Sequence, residues 1–420
     1  MTPLEETESF DQNAVIKVCG IGGGGCNAVN RMIEAGLSGV QFIVINTDAQ
    51  DLKESNAPVR LQIGKGALGA GAKPEVGRQA CEEDRDRVRE LLVGGDLIFL
   101  ALGLGGGTGT GAAPIVAQEA AETGALTIAI VTLPFSFEGE ERMSNALKGL
   151  AELEKYVDSL IVVPNDRIAE LSDASTSFLD AFRHGDEVLH NGVRAISELI
   201  TVPGLINLDF SDVRTVMEER GRALMGIGIG EGEDRARRAA EEAVVCPLLE
   251  QSNINGAKGV IINVRGGTDM RMQEVHEANE FVRRNASPDA TIIAGAVVDK
   301  DERPEFQVTV IAAGFPKKDA SAYLNRNKEA EAQKAAAETL KNKAGIPVEL
   351  KKKAEQGKGV PVKHAAKAAP SAKTDNGPLF DNMQSDRSNE PKVITPTIDD
   401  SDNINIPAFI RRKWEEKKRK

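Results

Sequence analysis

Two glycine-rich segments hold the residues best suited to chemistry. The first, GIGGGGCNAVN (20–30), follows a β-branched run and places Gly20, Gly22 and Gly25 in GxGxxG spacing; Asp48 closes the next such run. Glycine lets main-chain N–H groups approach a ligand, and a helix opening there offers unpaired N–H groups to phosphate. The second, GLGGGTGTGAAP (103–114), repeats the arrangement with Gly105, Gly106, Gly107 and Gly109, and adds the hydroxyls of Thr108 and Thr110. A third, GALGAGAKP (66–74), would add amides from the side, and 20 of the 41 glycines fall between Gly20 and Gly111. Three such loops predict a cradle for a polyphosphate. No GxxxxGK[ST] occurs, which excludes a P-loop NTPase. GxGxxG with Asp48 also fits a nicotinamide dinucleotide, but that reading leaves the second loop without a task and supplies no hydride-transfer residues.

Hydrolysis of a phosphate chain needs a positioned water and stabilisation of spread charge. The loops contain no base, and His184, His190, His276 and His364 form no triad-like set. Asp209 and Asp212 are the best acids, although Ser211 or Asp212 could equally cap the next helix. Glu138 and Arg142 are spaced as an i,i+4 pair. Phe182 could stack on a base or fill a core. Cys19, Cys26, Cys81 and Cys246 form no CxxC pair, which argues against zinc or a disulfide framework.

These residues need a scaffold, and the pattern around them supplies one. VIKVC (15–19), VQFIVIN (40–46), DLIFLAL (96–102), ALTIAIVT (125–132) and SLIVVP (159–164) read as strands buried on both faces. Helical patterns over 75–92 and 111–123 alternate with them, predicting a Rossmann-like, doubly wound parallel sheet. A long helix over 177–201 ends at Pro203-Gly204. Four strands and two helices then suggest a smaller α+β domain ending near Phe315. The expected organisation is a flexible extension (1–13), a nucleotide-binding domain (14–176), a central helix and acidic loop (177–219), and the α+β domain (220–316). A disordered linker (317–403) and a terminal peptide (404–420) complete it.

Composition narrows the class. The 420 residues carry a net charge of -12, as the sum of -20 up to residue 316 and +8 beyond it. An acidic body argues against nucleic-acid binding. No apolar run reaches the ~18 residues of a membrane span, and the acidic start MTPLEETESFDQN is not expected to be a signal peptide. A cytoplasmic protein is expected.

GGGTGTG (105–111) looks like the tubulin signature. With NTDAQ (46–50), GAGAKPEVGR (69–78), PFSFEGEERM (134–143), NLDFSDVRTVM (207–217) and IPAFIRR (406–412), the chain resembles the FtsZ family of bacterial tubulin-like cell-division GTPases. The resemblance runs over about residues 13–316 and the terminal peptide. It implies that GTP or GDP, with Mg2+ held mainly by the phosphates, is bound by Gly22, Gly23, Gly24, Gly25, Cys26 and Asn27, and by Gly105 to Thr110. Glu138, Arg142 and Asn165 would contact ribose and nucleotide, Phe182 the base, and Asp186 the guanine edge. Cys26 stands where many relatives have Gly or another small residue, and whether its thiol is oxidisable beside the ligand is left open. Asn207, Asp209 and Asp212 would act on the nucleotide of the next subunit in a head-to-tail filament at mid-cell, beneath the inner membrane. The apolar residues of 406–414, from Ile406 to Trp414, would dock on membrane-tethering and regulatory division proteins.

Overall fold

The computed structural model describes residues 14–66, 68–171, 177–202, 209–219, 221–246, 254–301 and 303–316. The N-terminal extension, Asn207, Pro203-Gly204, the linker and the terminal peptide lie outside them.

Six strands form the parallel part of one sheet: β1 (Ile16–Ile21), β2 (Gln41–Asn46), β3 (Val59–Gln62), β4 (Leu97–Gly103), β5 (Leu126–Leu133) and β6 (Ser159–Pro164). Their spatial order is β3-β2-β1-β4-β5-β6. β1 and β5 are buried along their whole length, which is why their sequences are continuous apolar runs and do not alternate. Chain order reverses between β1 and β4, and in open α/β sheets ligands bind in the crevice at such a switch point. Both long glycine-rich loops leave from these two strands.

One face of the sheet packs against α1 (Gly22–Glu34), α8 (Phe178–Thr201) and α9 (Phe210–Met217); the other packs against α3 (Pro74–Glu83), α4 (Arg85–Leu92), α5 (Thr108–Glu122) and α6 (Glu140–Leu153). Two short helices follow β2 and β6: α2 (Ala49–Glu54) two residues after β2, and α7 (Asn165–Leu171) directly after β6. The segment expected as one helix over 75–92 is two. It breaks at Asp84, whose carboxylate accepts from the Gly64 N–H at 2.7 Å and pairs with Arg87 at 2.8 Å. An Asp that can bond a neighbouring backbone competes with helix continuation. Strand β3 has no counterpart in the expected pattern: it has four residues, mostly exposed, at the sheet edge.

The remaining elements are β7 (Gly221–Glu231), α10 (Arg235–Val245), β8 (Gly259–Gly266), α11 (Met272–Asn285), β9 (Thr291–Val298) and β10 (Glu305–Phe315), the four strands and two helices expected. They do not form a separate sheet. β7 pairs with β6 in parallel over Ser159↔Gly221, Leu160↔Arg222 and Ile161↔Ala223, so one ten-stranded sheet runs through both halves. β10 is antiparallel to β7 and β8, and β8 is parallel to β9. α8 links the halves from the side: Asn263 Nδ2 donates to the Ala195 carbonyl at 2.9 Å, and Arg265 Nη1 to Glu198 Oε1 at 3.0 Å.

Candidate functional site

The site begins where β1 runs out. Gly22 takes φ +71°, turning the buried strand into α1 in a single residue. The residue before the helix, Ile21, offers no capping side chain, and the first turn holds no acid. α5 starts the same way after Gly107, with no side-chain cap and no first-turn acid. The two helix starts touch: a Cβ on Gly22 would stand 2.7 Å from the Gly109 nitrogen. Each start carries unpaired N–H groups and about half a positive charge, so their convergence makes one anion-attracting point out of two. The third loop closes the side, since a Cβ on Gly107 would stand 2.7 Å from the Ala70 Cβ. Ala67 in that loop is outside the described residues.

The hydroxyls are partly committed. Thr110 Oγ1 accepts from the Gly105 N–H at 2.8 Å, and Thr108 Oγ1 shares a 2.6 Å hydrogen bond with Thr47 Oγ1. A threonine hydroxyl that accepts one bond still has its proton to give. Gly23 and Gly106 are half-buried, while Gly24 and Asn27 are exposed. Asp51 comes close to the first loop, with Oδ2 3.2 Å from where a Cβ on Gly23 would lie, and it accepts from Asn46 Nδ2 at 2.9 Å. Among the described residues no group of three or more His, Cys, Asp and Glu could hold a metal ion.

Two readings are sharpened here. Cys26 is turned into the core, 2% exposed, and burial, with Asp51 adding, pushes its thiol up to about 12. Burial therefore keeps the thiol protonated and shields it, which bears on the question of oxidation that the sequence leaves open. Asp48, a ribose-binding acid in the nicotinamide reading, caps α2 by accepting from the Gln50 N–H at 2.8 Å.

Around the crevice, β5 leads through Pro134 and a tight turn at Ser136–Glu138 to α6. Glu138 lies in that turn, not in the helix: Oε1 accepts from the Phe135 N–H at 2.8 Å and Oε2 pairs with Arg142 Nη1 at 3.0 Å. Gly105, at φ +98°, lets the Arg142 stem in; a Cβ there would meet Arg142 Cγ at 2.8 Å. This brings the guanidinium's helix against the signature loop.

At the far side, α8 presents Phe182 and Asp186 one turn apart. Phe182 packs edge-on against Phe135 (5.1 Å), which stacks on Phe137 (4.9 Å). Asn165 opens α7 and is 8% exposed; its Oδ1 is buried without a hydrogen-bond partner, near Gly185. A buried acceptor left unmatched costs about 1–3 kcal/mol, so this one suits a polar ligand edge. Asp186 Oδ2 accepts from Arg31 Nε at 2.8 Å, the partner lying near the end of α1. Burial pushes the Asp186 carboxyl up to about 6 against the pull of Arg31. Arg31, Thr47 and Asp51 were missed by sequence reasoning. For Arg31 the one available signal was a cation in the last turn of a helix that begins at a phosphate loop.

Asp209 and Asp212 stand elsewhere. Asp209 caps α9, accepting from the Ser211 N–H at 3.4 Å, and Asp212 is exposed in the first turn. α9 leads into Gly221, which pairs with Ser159 at the start of β6, whereas Asn165 follows the end of β6. The last residue of α8, Thr201, likewise contacts Gly39, just before β2. The two acids thus lie at the strand starts and the loops at the strand ends. Within one chain they do not meet.

Residues 15–173 match the GTPase domain of the Tubulin/FtsZ family, and residues 221–316 the C-terminal domain of the FtsZ family. Among solved structures, an FtsZ dimer from M. jannaschii is 41% identical with TM-score 0.69, over 71% of this chain and 88% of that one. A point mutant of FtsZ from the same organism matches at the same identity and TM-score, over 72% and 91%. A protofilament of CetZ2 from Haloferax volcanii with GTPγS bound is 22% identical with TM-score 0.63, over 76% and 99%, a likeness of fold.

Proposed function

Because the chain belongs to the tubulin/FtsZ family, a family of GTPases, we propose that it binds GTP in the crevice between β1 and β4 and hydrolyses it to GDP and phosphate during head-to-tail assembly into filaments. The converged starts of α1 and α5 take the polyphosphate, through the amides of Gly22 to Asn27 and Gly105 to Thr110. Glu138, Arg142 and Asn165 take the ribose region, and Phe182 flanks the base. The Asp186 carboxylate accepts from the guanine N1–H and N2–H2; adenine has an acceptor at N1 and is refused. Magnesium would be carried mainly by the phosphates, and Asp51 is a carboxylate close to the first loop.

The observation that carries this reading is the separation of the groups on one sheet. The phosphate loops lie at one end of the strands and the acids Asp209 and Asp212 at the other. A head-to-tail contact joins one end to the other of the next copy, completing each site in trans, and such a heterologous contact grows filaments. Water oriented there attacks the γ-phosphorus, the bond to the β-bridging oxygen breaks, and the loop amides stabilise the charge. Exposed Leu68, Phe137 and Leu179 on loops and the helix start near the site are suited to such a contact. In the cell these filaments form the cytokinetic ring at mid-cell, on the cytoplasmic side of the inner membrane, tethered by division proteins that hold 406–414. Among the described residues no helix is long and apolar enough to cross a membrane.

The test is GTP turnover per subunit against protein concentration. Specific activity should rise with assembly, seen by light scattering, from near zero in dilute monomer. Constant specific activity down to monomer overturns the split site.

A further inference from the structure

We infer that Arg31 is a positioning residue for the nucleobase: its guanidinium holds the Asp186 carboxylate ionised and oriented as the acceptor of the guanine edge. The inference rests on the GTP reading above and concerns the same crevice.

The geometry is specific. Arg31 lies nine residues after Gly22, about 14 Å along α1 from the phosphate loop. It donates through Nε to Asp186 Oδ2 at 2.8 Å, and the two side chains are 33% and 17% exposed. One bond to one oxygen anchors the carboxylate at Oδ2 and leaves Oδ1, and a second lone pair on Oδ2, for incoming N–H donors. A bidentate clamp would have occupied a lone pair on each oxygen. Arg31 also sits at the C-terminal end of α1, where a cation is favoured, so its charge stays available to Asp186.

The electrostatics define what its loss would do. Asp186 is desolvated, and Glu187 beside it on α8 adds a like charge; from α1 it faces Arg31, and α7 brings the neutral Asn165 next to Gly185. Arg31 is thus the one cation opposing protonation among these neighbours. Without it the carboxyl titrates higher than its present value of about 6, and at neutral pH a growing fraction carries a proton. A protonated carboxyl presents a donor where the guanine edge also has donors, and base recognition fails. The sign follows: guanine binding is present above the carboxyl's pKa and is lost about tenfold per pH unit below it.

The experiment measures GDP and IDP affinities of the full chain by calorimetry from pH 5.5 to 8.5; inosine lacks the N2 amine. The wild-type GDP affinity should be flat above about pH 7 and fall below about pH 6. In Arg31→Met the break should move up by roughly a unit or more, with GDP affinity recovering at pH 8.5 and weakened about tenfold at neutral pH. Arg31→Lys should bring the break part of the way back. An unchanged break in Arg31→Met, or a loss equal at every pH, overturns the inference. Asp186→Ala separates the two levels. If it binds GDP as tightly as wild type and keeps the wild-type preference over IDP, the guanine reading itself falls. If it loses GDP while Arg31→Met keeps the wild-type break, only the role of Arg31 falls.

Discussion

Asp209 and Asp212 differ in what the fold already asks of them. Asp209 caps α9, so removing its side chain costs about 0.5–2 kcal/mol of helix stability whatever its chemistry. Asp212 is exposed in the first turn and caps nothing, which makes it the cleaner probe. Asp212→Ala is expected to bind GTP and assemble like wild type while hydrolysing very little; wild-type phosphate release from that variant would refute its role. The cysteines need no such separation. Burial pushes Cys19, Cys26 and Cys81 up to about 12, so none of these thiols competes with the loop amides for chemistry.

At the scale of elements, the contact between the starts of α1 and α5 is the feature most sensitive to one atom. Gly22→Ala would place a methyl 2.7 Å from the Gly109 nitrogen, on a backbone at φ +71° that disfavours it. The helices must part, at about 1–3 kcal/mol, and GDP affinity measured by calorimetry should drop by at least tenfold. An alanine variant binding GDP at wild-type strength would show that the convergence does not hold the phosphates. The two loops and their strands were legible because a buried parallel strand and a glycine turn each leave local signatures. The break at Asp84 was not, since its cause is the Gly64 amide 20 residues earlier. Nor was the tie between Arg31 and Asp186, 155 residues apart, because nothing in either helix alone marks the other as partner. Sequence reasoning gives Asp209 a place in the split site and leaves capping to Ser211 or Asp212; the cap is Asp209 itself.

For the whole molecule, the continuity of the sheet matters more than its division into halves. Three residue pairs join β6 to β7, and Arg222, in the middle pair, reaches back to Glu154 at 3.2 Å, both side chains largely buried. Arg222→Met removes the guanidinium facing that carboxylate and should lower stability by about 3–5 kcal/mol, read as a fall in the urea midpoint. An unshifted midpoint would mean that the seam does not depend on this pair. α8 has a further consequence, which is mechanical. Its 24 residues span about 36 Å, and the stretch from Asp186 at the base end to Thr201 beside the start of β2 covers about 22 Å of it. A hydrogen-bonded helix without proline is a stiff rod, and α8 runs beside a seam of only three strand pairs. In the filament proposed above, a load entering at one end of the strands would reach the other through this rod, whose base end is tied to α1 by the Arg31–Asp186 pair.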